Sequence, residues 1–216
     1  MAETRGGRRK IGVLGGGNVG GNLARLWAAT GHTVVVGVPE PDSARSQELS
    51  SSAGVSVATN REASADAEVV AVAVPWPAAE AALQEAGNLA GKVVIDCMNP
   101  LAADLRSLVI GNATSAAEQV AAWAKGARVV KAFNTIGAMN FGNAQFGNLR
   151  ADGFYCGDDA AAKALVRGLI EDAGLEPVDV GPLRNARLLE HLALLWIDLA
   201  VNQKQGPNHA FKLLRR

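Results

Sequence analysis

Lys10-Ile11-Gly12-Val13-Leu14-Gly15-Gly16-Gly17-Asn18-Val19-Gly20 is the stretch on which the fold turns. Lys10 to Leu14 reads as a strand. Gly15 to Gly20 then matches G-x-G-x-x-G. Past it Val19, Leu23, Leu26, Trp27 and Thr30 fall on one helical face, and Gly31 supplies the stop. A strand, a glycine turn and an amphipathic helix in that order are the context in which this motif binds a dinucleotide. Gly15 permits the tight turn, Gly17 lets backbone approach a pyrophosphate, and Gly20 allows close helix–sheet packing. The helix N-terminus offers its free N–H groups and positive dipole end to the phosphates.

Outward from this unit, short β-branched runs alternate with segments of helical period. That rhythm predicts an α/β fold, a Rossmann-type, doubly wound, mainly parallel sheet with helices on both faces. Strands are expected at Thr33–Val36, Val55–Val57, Glu68–Val74, Lys92–Cys97, Arg128–Ala132, Gly153–Cys156 and Glu176–Val180. Helices are expected near Ala44–Ser51, to about Lys125, at Asp159–Ala173 (stopped by Gly174) and at Asn185–Val201. Thr59 with Glu62, and Ser115 with Glu118, have the spacing of capping boxes. Pro77 suits the first turn of a helix, where its missing N–H is not needed. Residues 10–216 read as one domain: a nucleotide-binding core over 10–137 and a small C-terminal extension over 138–216, preceded by a basic, flexible tail at 1–9.

The chain has 216 residues, 49% hydrophobic and 19% charged, which suits one globular domain. Its 21 basic and 21 acidic side chains cancel, giving no electrostatic footprint for nucleic acid or anionic lipid. The start has no apolar segment of a secretory signal, and no run approaches the ~20 residues of a membrane span. Cys97 follows Val93-Val94-Ile95 and reads as a packed core thiol, in keeping with a reducing cytoplasm. Neither cysteine spacing nor the scattered His32, His191 and His209 suggests a metal site.

In open α/β sheets ligands bind beyond the carboxyl ends of the strands. Five loops lie there: Gly15–Gly20, Gly37–Asp42, Pro75–Pro77, Met98–Leu101 and Phe133–Gly137. The second strand runs into Gly37 and Val38, and Val38 and Pro39 are assigned to cofactor binding. NAD enzymes place a carboxylate there, about 20 residues on. Glu40, between Pro39 and Pro41, reads instead as solvated loop. Without that carboxylate a 2′-phosphate is not repelled, so NADP(H) is the expected cofactor, with NAD(H) left open. An arginine is the natural phosphate partner. None directly follows the strand, and Arg45 on the next helix is the candidate. Trp76 could flank the cofactor or simply pack on the surface. Met98-Asn99-Pro100 and Asn134-Thr135-Ile136 flank the nicotinamide, where Asn or Thr can hydrogen-bond a carboxamide or a substrate carbonyl. No acid–base pair stands out, and His191 reads as a satisfied helix residue. Hydride passage between stacked rings needs orientation more than a protein base.

The chain resembles the coenzyme F420-dependent NADP oxidoreductases, whose coenzyme is a deazaflavin, and the small bacterial reductases related to them. The resemblance is carried by Gly15-Gly16-Gly17-Asn18-Val19-Gly20, Val36-Gly37, Val74-Pro75-Trp76, Val129-Val130-Lys131-Ala132-Phe133-Asn134-Thr135, Cys156-Gly157-Asp158-Asp159, Gly181-Pro182-Leu183 and Phe211-Lys212. The Val-Lys-Ala-Phe-Asn-Thr run is also similar to the oxidoreductase domain of STEAP-type ferric reductases. The resemblance implies that Gly16, Gly17, Asn18 and Val19 contact the pyrophosphate. It implies that Val74, Pro75 and Trp76 line the nicotinamide side and that Asn134, Thr135 and Ile136 border the deazaflavin. It further implies direct hydride transfer and a homodimer. Val38-Pro39 stands where the family tends to carry Ser-Arg.

Three functions are therefore expected in competition. The first is an NADP(H) oxidoreductase with a deazaflavin or flavin-like acceptor. The second is a small carbonyl or imine reductase, which would need substrate walls from the roughly 35 residues after Gly181 or from a dimer mate. The third is a non-catalytic NADP(H) sensor that uses the apolar helix Leu188–Leu199 as its interface.

Overall fold

A computed structural model describes residues 7–216, except for the side chain of Arg45. Most of the expected basic tail, and the side chain of the candidate Arg45, therefore lie outside the described residues. The first half winds as β1 (Lys10–Leu14), α1 (Asn18–Ala29), β2 (Thr33–Gly37), α2 (Ala44–Ser50), β3 (Val55–Ala58) and α3 (Asn60–Ala65). Next come β4 (Val69–Val72), α4 (Ala79–Ala86), β5 (Val93–Asp96), α5 (Ala116–Trp123) and β6 (Arg128–Lys131). A short hairpin of β7 (Gln145–Phe146) and β8 (Leu149–Arg150) leads to β9 (Asp152–Gly157), α6 (Ala160–Asp172), β10 (Glu176–Asp179) and α7 (Ala186–Ile197).

Eight of these strands form one sheet in the order β10-β9-β6-β5-β4-β1-β2-β3. The run from β3 to β6 is the doubly wound order with its switch point between β1 and β4, so a crevice opens beyond Leu14 and Val72. β1 to β6 are parallel; β9 pairs with β6 in the opposite sense, through Lys131 and Cys156, and β10 follows β9. The sheet is thus mainly parallel, as expected.

Strand periodicity sorts the core into two layers. Ile11, Val13, Val69, Ala71, Val93, Ile95 and Val130 pack with Leu23 and Trp27 of α1 and Leu169 and Ile170 of α6. Val70, Val72, Val94 and Val129 face the other way, with Leu83, Val120 and Leu189 of α4, α5 and α7. Trp27 ties α1 to α6 by donating from Nε1 to the Leu169 carbonyl at 3.2 Å.

Several boundaries differ from expectation for visible reasons. β4 closes at Val72, two residues before the expected end, although the Ala73 N–H still donates to the Leu14 carbonyl. Pro77 sits in a single 3-10 turn, Trp76–Ala78, ahead of α4. The capping box at Thr59 is complete, with Glu62 bonding back to the Thr59 N–H. At Ser115 only half of it forms. The Glu118 carboxylate there meets the Ser115 hydroxyl and the Arg187 guanidinium instead. Past Ile197 the last expected helix widens into one π turn, Asp198–Asn202, because the Gln203 N–H reaches back to the Asp198 carbonyl. The tail then closes on the sheet edge: Lys212 bridges Asp152 and Glu176, and Leu213 N–H donates to Asp152. No described helix is long and apolar enough to cross a membrane.

Candidate nucleotide and hydride-transfer site

The glycine turn joins β1 to α1 at the switch point. Gly15 takes φ +103°, and its N–H donates to the Gly37 carbonyl at 2.9 Å, which bends the chain away from the sheet. Gly17 and Gly20 differ in what a side chain would meet. A Cβ on Gly20 would lie 1.9 Å from the Gly15 carbonyl oxygen, so helix and turn can close only over glycine. A Cβ on Gly17 meets nothing within 4 Å; it would project into the open crevice at the N-terminus of α1. A bare backbone facing free space beside unpaired helix N–H groups fits a pyrophosphate. Gly16 lies against Leu49 and Val38, Asn18 is exposed, and Val19 packs partly on the core.

Beyond β2 a cavity of about 460 Å³ is lined by Val38, Pro39, Thr59, Asn60, Arg61 and Glu85. Two of its walls, Val38 and Pro39, are expected cofactor-binding residues. The other four come from the start of α3 and from α4, since β3 brings the Ala58–Asn60 turn to the same edge. A larger cavity, about 720 Å³, lies at the opposite edge, by the amino ends of β1, β5 and β6. Ligands of open α/β sheets bind by rule at the other edge, beyond the carboxyl ends of the strands, where the smaller cavity lies.

Beyond β4, Val74 and Trp76 are half-buried and Pro75 is exposed. The Trp76 indole stacks on Trp123 of α5, with centroids 5.4 Å apart. Its ring is therefore held against α5, and the turn around it meets the crevice through Val74 and Pro75.

The loops after β5 and β6 are locked together. Asn134 donates from Nδ2 to Asn99 Oδ1 (3.0 Å) and to the Leu189 carbonyl (3.1 Å). Asn99 Nδ2 returns a bond to the Asn134 carbonyl at 3.1 Å. The Oδ1 of Asn134 is buried with no partner in the protein. A buried acceptor without a donor is costly unless a ligand supplies one. The turn is strained where it begins: Phe133 holds φ +66°, clamped edge-on between Trp27 and Phe141. Thr135, Ile136, Met98 and Pro100 are buried, and Asn99 keeps partial exposure.

Beneath these loops lies a charge cluster that the sequence reading missed. Lys131 Nζ donates to Asp96 Oδ2 and Glu190 Oε1, both at 2.9 Å, and to the Met98 carbonyl at 2.5 Å; all three side chains are fully buried. Asp96 also accepts the Met98 N–H, and Glu190 accepts the Ala116 N–H. Burial disfavours the Lys131 ammonium, but Asp96 and Glu190 outweigh it and hold its pKa above the ordinary value. Burial, aided by Asp96, pushes the Glu190 carboxyl up despite Lys131. The cluster fixes Met98 and with it the Asn99 position. Burial likewise raises both thiols, Cys156 to about 12, so neither is a nucleophile near neutral pH. His191 is exposed on α7 with Nδ1 against the Arg187 carbonyl.

Comparison with known proteins agrees with this architecture. Residues 10–100 match the family described as NADP oxidoreductase, coenzyme F420-dependent. The chain is 33% identical over 211 residues to the F420-dependent NADP reductase of Methanothermobacter marburgensis, covering 90% of this chain and 94% of that one.

This chain belongs to the coenzyme F420-dependent NADP oxidoreductase family.

It is also 32% identical over 195 residues to the rat metalloreductase STEAP3, covering 90% of this chain but only 38% of that longer protein. A crystal structure from Arthrobacter sp. FB24, provisionally named an F420-dependent NADP reductase, superposes with a TM-score of 0.87 at 33% identity. That match covers 96% of this chain and all of the other. The family member is an NADP-dependent oxidoreductase on a Rossmann-type fold.

Proposed function

We propose that this family member passes a hydride between NADP(H) and a deazaflavin or flavin-like acceptor. The observation that carries the reading is the partnerless, buried Oδ1 of Asn134 at the carboxyl end of β6. In this reading it would accept from the carboxamide of a nicotinamide bound at the carboxyl ends of the strands.

Residues 10–137 would hold the dinucleotide. Gly16, Gly17, Asn18 and Val19 would take the pyrophosphate, Val38 and Pro39 the adenosine ribose. Val74, Pro75, Met98 and Asn99 would border the nicotinamide, with Trp76 bracing its turn from behind. Pro100, Thr135 and Ile136 would give the acceptor ring an apolar, water-poor face. When bound, the nicotinamide supplies the hydride, and one solvent proton completes the reduced acceptor. The chain's part is to stack and orient two rings, which proximity alone rewards strongly. Residues 138–216 would close the acceptor side and, through the exposed Leu188 and Leu195 of α7, the homodimer. The two buried free thiols suit a reducing cytoplasm.

Titration of the protein with NADPH, followed by nicotinamide fluorescence, and then addition of oxidised deazaflavin tests this. Tight binding followed by rapid loss of fluorescence is expected. Tight binding that survives deazaflavin, flavin and ferric acceptors alike would move the protein to a sensor role.

A further inference from the structure

The cavity beyond β2 holds a cation that its own fold does not use. We infer that Arg61 grips the 2′-phosphate of NADP(H) and sets the preference over NAD(H), in place of an arginine following β2. This rests on the proposed NADP(H) reading and names the residue behind its selectivity.

Arg61 is the second residue of α3 and lines the cavity together with Val38 and Pro39, where the adenosine ribose would lie. Among the described residues its guanidinium has no hydrogen bond or ion pair. It reaches toward the end of α4: a Cβ on Gly87 would stand 3.4 Å from Nη1, so the glycine there leaves it room. An unpaired guanidinium at a cavity wall is the group best shaped for a phosphate.

A second observation lies in the wall of the same cavity. Asn60 is 5% exposed, and its Nδ2 donates to Glu85 Oε2 at 2.7 Å. That bond turns Oδ1 toward the end of β2, where a Cβ on Gly37 would lie only 2.6 Å from it. The Oδ1 is buried and has no partner in the protein. A ribose hydroxyl seated against the end of β2 would supply the missing donor. Glu85 is the counterweight. Its carboxylate orients Asn60 but repels a phosphate, so the cavity's selectivity is set by Arg61 against Glu85.

The two side chains give opposite expectations. Arg61→Ala should weaken NADPH and 2′,5′-ADP by about 10- to 100-fold, the range of a lost charge-assisted hydrogen bond. NADH and 5′-AMP should stay within about twofold. Arg61→Lys should keep part of the preference. Glu85→Gln keeps an acceptor for Asn60 and should tighten NADPH. Arg61 is exposed, so its variants should melt with the wild type. Equal effects of Arg61→Ala on NADPH and NADH, or none on either, overturn the inference while leaving the proposed function standing. Weaker NADH binding by Glu85→Gln with NADPH unchanged also overturns it, since the carboxylate would then be holding the ribose of NAD. A wild type that binds neither nucleotide defeats the proposed function and this inference together.

Discussion

Asn99 and Asn134 hold each other by two hydrogen bonds, one from each side-chain amide, across the carboxyl ends of neighbouring strands. Thirty-five residues separate them in sequence. The pairing fixes which way each amide points and leaves the Asn134 Oδ1 buried without a partner in the protein, the acceptor that the proposed function gives to the nicotinamide. Asn134→Ala should therefore lower kcat/KM for NADPH by about tenfold or more, the scale of one buried hydrogen bond with its positioning. Steady-state kinetics beside a circular dichroism spectrum checks this. An unchanged kcat/KM in a folded variant would remove Asn134 from the site.

The two glycines of the turn should separate binding from folding. Gly17→Ala meets open space, so its unfolding midpoint should stay near the wild-type value while nucleotide affinity falls. Gly20→Ala drives a methyl into the Gly15 carbonyl and should yield an unstable or insoluble protein. Thermal melts with and without NADPH distinguish the two. Equal loss of stability in both would mean that Gly17 serves packing.

The buried cluster should respond unequally to its members. Lys131→Met leaves Asp96 and Glu190 facing each other without a cation, a loss of about 3–5 kcal/mol. Glu190→Gln keeps the Lys131–Asp96 pair and removes a carboxyl that burial already pushes toward its neutral form, so its cost should be smaller. Urea unfolding of both variants checks the order.

Strand and helix succession was legible because each element carries its own local pattern: β1 and the turn emerge as read, and α6 falls inside its expected span. The cluster was not. Lys131 sits in Val129-Val130-Lys131-Ala132, a run that reads as apolar strand. Only the sheet brings it to Asp96 and, through α7, to Glu190, 59 residues away. The reversed direction of β9 was hidden too, since a β-rich period is the same in either sense. Trp76 gave no sign of Trp123, because stacking between the turn ahead of α4 and the end of α5 depends on how the two segments pack. Arg61, proposed above for the 2′-phosphate, falls outside the five strand-end loops read from the sequence, because none of them follows β3. The complete capping box at Thr59 places the turn after β3 at the strand's end and was the available signal.

Stability should fall on the acid side through Glu118. Hydrogen bonding to Arg187, then to Ser115, holds its carboxyl below the ordinary range, despite some desolvation. A carboxyl depressed in the folded state contributes stability above its unfolded pKa of about 4.3 and loses it as pH falls through the folded value. Glu118→Gln should be less stable than wild type near pH 7, with the gap closing below about pH 4. A gap that persists unchanged into acid would show that the pair contributes through packing and not through charge.

The most direct test of hydride transfer is an anaerobic single turnover with NADPH deuterated at the transferring position of its nicotinamide and oxidised deazaflavin as acceptor. The expected result is loss of nicotinamide absorbance in step with acceptor reduction, with the deuterium recovered in the reduced deazaflavin. NADPH left unoxidised by the acceptor, or oxidised with its deuterium lost to water, would contradict direct transfer between two rings held in this crevice.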